Sequence, residues 1–332
     1  MSKDGIVQDN RAEGFRSDAC VKPSAVSASA AFRSMGEPPD PMTIDRMVSM
    51  AKEQGLSDAE TDAARFLFGR IGYQHLSGYI SLVARNDIGV PTTLGSVWGF
   101  MCLDREFQAI LMESIGYFEL QLRTQYSIEM TSRYGAFAHR NSKLFKDSGR
   151  YGGFLYEYRS ILKACAMRLG SQQERAISRY SDMPLWMAVE EMPLGMVSKL
   201  YKNTRSKAVR NAIAASFGVD KDLLTSWMTS LTFVRNRCAH HGQLLGLQLP
   251  VMPRKIECVS ADNGNPFYIA LVLMRLMGPS VDFDDGSLSP RERLSTELFT
   301  RLPRYDDLLA VAGVPHDWKM LMEGPSVSGV GI

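Results

Sequence analysis

Residues 233–246, FVRNRCAHHGQLLG, gather Arg235, Asn236, Arg237, His240 and His241 in a chain that has five histidines. These side-chain types form either a catalytic arginine–histidine constellation or the polar end of an ordinary helix. Histidine titrates near neutral pH and can take or give a proton. Arginine keeps its charge and offers a planar fork of donors. The Arg-to-His spacing alone is not selective, because Arg70/His75 and Arg133/His139 show it too. The competing use of such a histidine is a backbone hydrogen bond at a helix end.

A helix predicted over 221–241 positions these residues. At about 100° per residue, Leu224, Trp227, Met228, Leu231, Val234 and Cys238 share one apolar, core-facing stripe. Asn236 and His240, four apart, are neighbours on the opposite face, with Thr229 and Phe233 beside them. His241 falls at the edge of the stripe, packed on the core or used at the helix end. Arg235 falls within the stripe, about 140° from His240. A buried arginine needs carboxylate or carbonyl partners, and Glu119 and Glu190 on other predicted helices are candidates.

Around this helix the chain reads as all-α. Helical spacing predicts elements over 43–55, from Ser57 to Tyr73, 151–169, 186–202, 206–216, 266–277 and 290–302. The segment 96–135 reads as one long helix or two broken ones, with Phe107, Ile110, Leu111, Phe118 and Leu122 on its apolar positions. Strand signals are weak, and no Gly-rich phosphate loop or fixed repeat occurs. Residues 1–40 are rich in Ser, Ala, Gly, Asp and Pro, which predicts a disordered tail. It carries five basic and six acidic residues, so it is no basic nucleic-acid arm. A single domain is expected over 41–322, followed by a flexible tail at 323–332.

Composition narrows the classes. Hydrophobic residues make up 45% and charged residues 22%, ordinary for a globular protein, and the net charge of +2 gives no global basic field. The five cysteines form no CxxC pair, which argues against a disulfide framework and a structural zinc site. No secretory signal is legible at the N-terminus, and the longest apolar stretch, 267–274, is too short to span a bilayer. The expectation is a soluble, cytoplasmic chain with no membrane association, no cofactor and no metal.

Other residues carry weaker signals. Glu119 and Arg123 are spaced for a helix salt bridge, or they hold Arg235. Trp186 is expected in the core, with Glu190 beside it to anchor an arginine. Tyr73, His75 and Tyr79 could stack bases, but core packing is the expectation for them. Lys199, Lys202, Arg205, Lys207 and Arg210 form a run with no acid between them. Such a run is either a solvated face or, with Arg237, a surface for the RNA backbone.

The whole string, rather than its spacing, is distinctive. VRNRCAHH resembles the core motif of the Abi family of abortive-infection proteins (AbiD/AbiF type), of the HEPN superfamily. Four more segments match in order: GRIGYQHLSGY (69–79), LDREFQAILMESIGYFELQLRT (103–124), MPLWMAVEEMPLGMVSKLYKN (183–203) and GVPHDWKML (313–321). The resemblance covers about residues 41 to 322. The sequence departs from the pattern at Gly116, Leu194 and Gly242–Gly246, where a glutamate, a large aromatic and a basic-plus-tryptophan segment are usual.

The resemblance implies a HEPN-like helical bundle elaborated with additional helices. It also implies a metal-independent RNA endonuclease that leaves 2′,3′-cyclic phosphate. Arg235, Asn236 and His240 would be its catalytic residues, in a site shared across a homodimer, with His241, Glu119, Arg123 and Glu190 in support. Two other expectations stand beside it. One is a catalytically inactive RNA-binding module; the other is a toxin-like component held inactive by a small non-coding RNA or an antitoxin protein.

Overall fold

A computed structural model describes residues 41–257, 259–279 and 282–323, and among these the regular structure is helical, with no strand. The all-α expectation holds. The tail at 1–40 lies outside the described residues, as does the C-terminal tail except Glu323. Helices α1 (Ile44–Glu53), α2 (Asp62–Ile71) and α3 (Tyr73–Ala84) precede the long α4 (Leu94–Tyr134). Then come α5 (Ser148–Ala166), α6 (Gln172–Tyr180), α7 (Leu185–Glu191), α8 (Leu194–Asn203), α9 (Lys207–Ser216) and α10 (Lys221–Ala239). Helices α11 (Tyr268–Leu276), α12 (Pro290–Arg301), α13 (Asp306–Leu309) and α14 (Trp318–Glu323) complete the order.

Helix α4 is the axis of the core. Its 41 residues span roughly 60 Å at 1.5 Å per residue. No proline interrupts it, and Thr93 caps its start by accepting from the Ser96 N–H. The sequence left one helix or two open here, and the structure forms one. Phe107, Ile110, Leu111, Phe118 and Leu122 are all buried, as their spacing required. Helices α3, α7, α8, α9, α10, α11 and α12 all pack on it. Near the C-terminus, Trp318 of α14 packs on Phe267 and Phe299, at ring distances of 6.1 and 5.2 Å.

Several boundaries differ from expectation. The element expected from Ser57 begins at Asp62, capped by Thr61, and Gly72 at φ +83° ends it. Helix α3 then starts at Tyr73 as a separate element. The helix expected over 186–202 is two, because the Met192–Pro193 step is extended and proline cannot continue a ladder that needs its N–H. Helix α6 was not anticipated; it is short and buries only Ala176. Helix α14 runs through Glu323, with Met322 buried. Trp186, expected in the core, is 51% exposed on α7, because Leu185, Ala188 and Val189 supply the buried face. Among the described residues, no helix is long and apolar enough to cross a membrane.

Candidate functional site

The motif residues stand at the C-terminal end of α10. The helix is capped at its start by Asp220, whose carboxylate accepts from the Asp222 and Leu223 N–H groups at 2.7 and 2.9 Å. Those hydrogen bonds hold the Asp220 pKa below its ordinary value. All six residues of the apolar stripe, Leu224 to Cys238, are buried. The helix ends two residues earlier than expected, at Ala239, with His240 as the capping residue.

The ending follows a Schellman pattern. The His241 N–H donates to the Cys238 carbonyl at 3.0 Å and the Gly242 N–H to the Arg237 carbonyl at 2.9 Å. This puts His241 in the left-handed region, at φ +58°, where glycine is usual. His241 therefore takes the helix end, exposed, and not the core edge.

Behind this end, the chain from His241 to Leu245 is fastened at every residue. Arg105 Nη2 donates to the His241 carbonyl at 2.7 Å. Gln108 Nε2 donates to the Gly242 carbonyl at 3.0 Å, and Arg237 Nε donates to the Gln243 carbonyl. The Leu244 and Leu245 N–H groups donate to the two carboxylate oxygens of Asp104, at 3.0 and 2.8 Å. Asp104 is fully buried, and it also accepts from the Tyr79 hydroxyl at 2.7 Å and Gln108 Nε2 at 2.8 Å. Burial outweighs these four hydrogen bonds and raises the Asp104 pKa; burial, then the neighbouring Asp104 charge, raises that of Tyr79. The segment ends at Gly246, at φ +75°, where a Cβ would collide with Leu82 and crowd Phe100.

In front, the expected catalytic residues have few partners. Asn236 and His240 are exposed and Arg235 is half-buried. Arg235 was expected to be buried among apolar residues. It lies in the last full turn of α10, where a long side chain can reach water. Its one side-chain hydrogen bond among the described residues goes from Nη1 to Asn236 Oδ1, long at 3.4 Å. Glu119 and Glu190 do not reach it. Both face Arg123, at 2.6 and 3.7 Å, and Arg123 Nη2 also donates to the Met192 carbonyl at 2.9 Å. That group braces the break between α7 and α8, and α8 in turn packs along α10.

The basic run is dispersed. Lys199 pairs with Glu157 at 3.3 Å, and Lys202 donates to Thr229 on α10 at 2.5 Å. Arg205 turns to the Lys143 and Phe145 carbonyls, at 3.2 and 2.8 Å. Lys207 is exposed, and Arg210 has a buried Nε with no partner. The guanidinium of Arg237 is committed to the loop behind the helix end. Of the aromatic segment, Tyr73 and Tyr79 are buried while His75 is exposed. His139, the third histidine with the spacing, is fully buried, edge-on to Tyr158 at 5.2 Å.

Asp104, Arg105 and Gln108 were not singled out individually from the sequence, and Tyr79 was expected only to pack in the core, where it is found. Their signal was there, because LDREFQ and the tyrosine ending GRIGYQHLSGY are two of the ordered motifs. Among the described residues no three His, Cys, Asp or Glu side chains are grouped to hold a metal ion. A family model described as "Abi-like protein" matches residues 67–246. This range starts at α2 and stops at the glycine that closes the clamped segment, short of the motif at 313–321. No curated protein and no solved structure matches the chain.

Proposed function

The chain belongs to the Abi-like protein family, and we propose that it acts in abortive-infection phage defence as a metal-independent RNA endonuclease of HEPN type. The observation that carries this reading is the unequal treatment of the α10 end. A fully fastened segment stands behind it, and a histidine, an asparagine and an arginine with no ion pair among the described residues stand in front. An arginine without a carboxylate is free to bind a phosphate.

In this reading the RNA 2′-hydroxyl loses its proton and attacks the adjacent phosphorus, and the bond from phosphorus to the 5′-oxygen breaks. The leaving oxygen is protonated, giving a 2′,3′-cyclic phosphate and a 5′-hydroxyl. Arg235 holds the charge that grows on the non-bridging oxygens. Asn236, in contact with Arg235, orients it or the phosphate. His240 moves a proton. Arg235 and His240 lie about 140° apart around the helix, so one helix end does not aim both at one phosphate. A homodimer that apposes two α10 ends does, with Arg235 of one copy facing His240 of the other.

The test is incubation of the purified protein with total RNA in EDTA, with mapping of the new ends. Cyclic phosphate ends from the wild type, lost in Arg235→Ala and His240→Ala, are expected. RNA that stays bound and intact would make the fold a non-catalytic RNA-binding module. Full cleavage by a protein that is monomeric under assay conditions would remove the dimeric site.

A further inference from the structure

Helices α5 and α8 enclose a cavity of about 320 Å³ away from the helix end just described. This lies at the lower end of the roughly 300–1,000 Å³ usual for small-molecule sites. Phe154, Met196 and Leu200 line it and are buried. Arg150, Lys199 and Lys202 line it as well. Two of these cations are paired, Arg150 with Asp147 at 3.4 Å and Lys199 with Glu157 at 3.3 Å, and Lys202 is not paired among the described residues.

Lys202 is the informative residue. Its half-buried ammonium donates to a neutral hydroxyl, Thr229 Oγ1, at 2.5 Å, and among the described residues no carboxylate pairs with it. Lys146 Nζ brings another cation close, donating to the Lys202 carbonyl at 3.1 Å. The one acid lining the cavity, Glu157, is engaged by Lys199 at 3.3 Å. Burial and the Arg150 charge hold the Lys202 pKa below the usual lysine value. Removing an ammonium from water without a counter-charge is costly, and an anion in the cavity would remove that cost.

A second, independent feature is the cavity wall on α5. Gly152 and Gly153 sit inside a helix, where glycine is less favourable than alanine. A Cβ at either would meet nothing within 4 Å, so packing does not demand them. Gly153 lines the cavity, and any larger residue there would narrow it.

We propose that this cavity binds a nucleoside monophosphate unit, its phosphate between Lys202 and Arg150 and its base over Phe154, Met196 and Leu200. The cations select the phosphate, the floor takes a planar ring, and the Glu157 carboxylate can accept from a sugar hydroxyl or an exocyclic amine. The unit is either a free mononucleotide or one residue of an RNA strand. Lys202 touches α10 at Thr229, on the same face as His240 and about 16 Å along the helix, so a short strand can join the two places. The inference does not rest on the ribonuclease reading, since it concerns binding without cleavage.

The experiment is calorimetric titration of the full chain with AMP, GMP, CMP and UMP, with the four nucleosides, and with an uncleavable 2′-O-methyl octanucleotide. At least one phosphate-bearing probe is expected to bind, and its nucleoside at least tenfold more weakly. Lys202→Met is expected to weaken binding tenfold or more, as loss of a charge-assisted contact implies. Gly153→Phe is expected to abolish it. Arg150→Gln, at a side chain 73% exposed, is expected to leave the fold unchanged and to weaken binding severalfold. Mononucleotide binding that depends on Lys202 identifies a free ligand; binding of the octanucleotide alone identifies a strand subsite. No binding by any phosphate probe, equal binding of nucleosides, or affinities unchanged in all three variants would overturn the proposal.

Discussion

The two sides of the α10 end differ in how their polar groups are matched. On the inner side, each residue from His241 to Leu245 has a defined hydrogen-bond partner, and the buried Asp104 carboxylate collects four donors. On the outer side, Arg235 has one long hydrogen bond and His240 stands in solvent. The same short stretch is thus fastened where it meets the core and open where it meets solvent. Unmatched polar groups are costly only when buried, so the outer residues can remain unpaired at little cost to the fold. The inner ones cannot.

Substitutions on the two sides should therefore separate stability from activity. The largest effect is expected from Asp104→Ala, which strands four buried donors. Denaturant melts should show a loss of about 3–5 kcal/mol, with activity lost through the fold. A loss under about 1 kcal/mol would mean that water or a shifted loop satisfies those donors. Arg235→Ala and His240→Ala should do the reverse. Their melting should change by no more than about 0.5 kcal/mol, while RNA cleavage and growth arrest on expression fall by about 10²-fold or more. Undiminished growth arrest in the double variant would place the activity elsewhere.

Tyr79→Phe removes one of the four donors and leaves the ring. A loss of about 1–2 kcal/mol is expected, and a neutral result would show that three donors suffice. The smallest effect is a gain. His241→Gly relieves a left-handed non-glycine residue and should stabilise by about 1 kcal/mol, read as a raised thermal midpoint. If His241 only ends the helix, RNA cleavage will survive this change; a strong loss would give its imidazole a part in the chemistry.

The comparison also shows what was readable beforehand. The stripe from Leu224 to Cys238 and the core positions of α4 were legible, because a helix of 3.6 residues per turn writes its buried face into local spacing. Breaks at Gly72 and Pro193 were missed, although both residues are strong local signals. The four-residue spacing of Glu119 and Arg123 predicted the helix salt bridge that forms at 2.6 Å, while the alternative, in which Glu119 or Glu190 holds Arg235, does not occur. Arg123, four residues along the same helix from Glu119, holds both carboxylates instead. Trp186 was expected inside on hydrophobicity alone, yet a short helix has room to bury only one face.

The sequence by itself determined that this protein is helical, where its longest buried stripes run, and that its motif string belongs with the Abi-like family. All of these reside in neighbouring residues. The tertiary structure alone decided that Asp104 would hold Leu244 and Leu245, 140 and 141 positions away. It also decided that Arg237 would face the loop and that Lys202 would line a cavity. A hydrogen bond forms only when donor and acceptor come within about 3 Å. Which distant groups meet at that range is set by the register in which helices pack, and no local period records it.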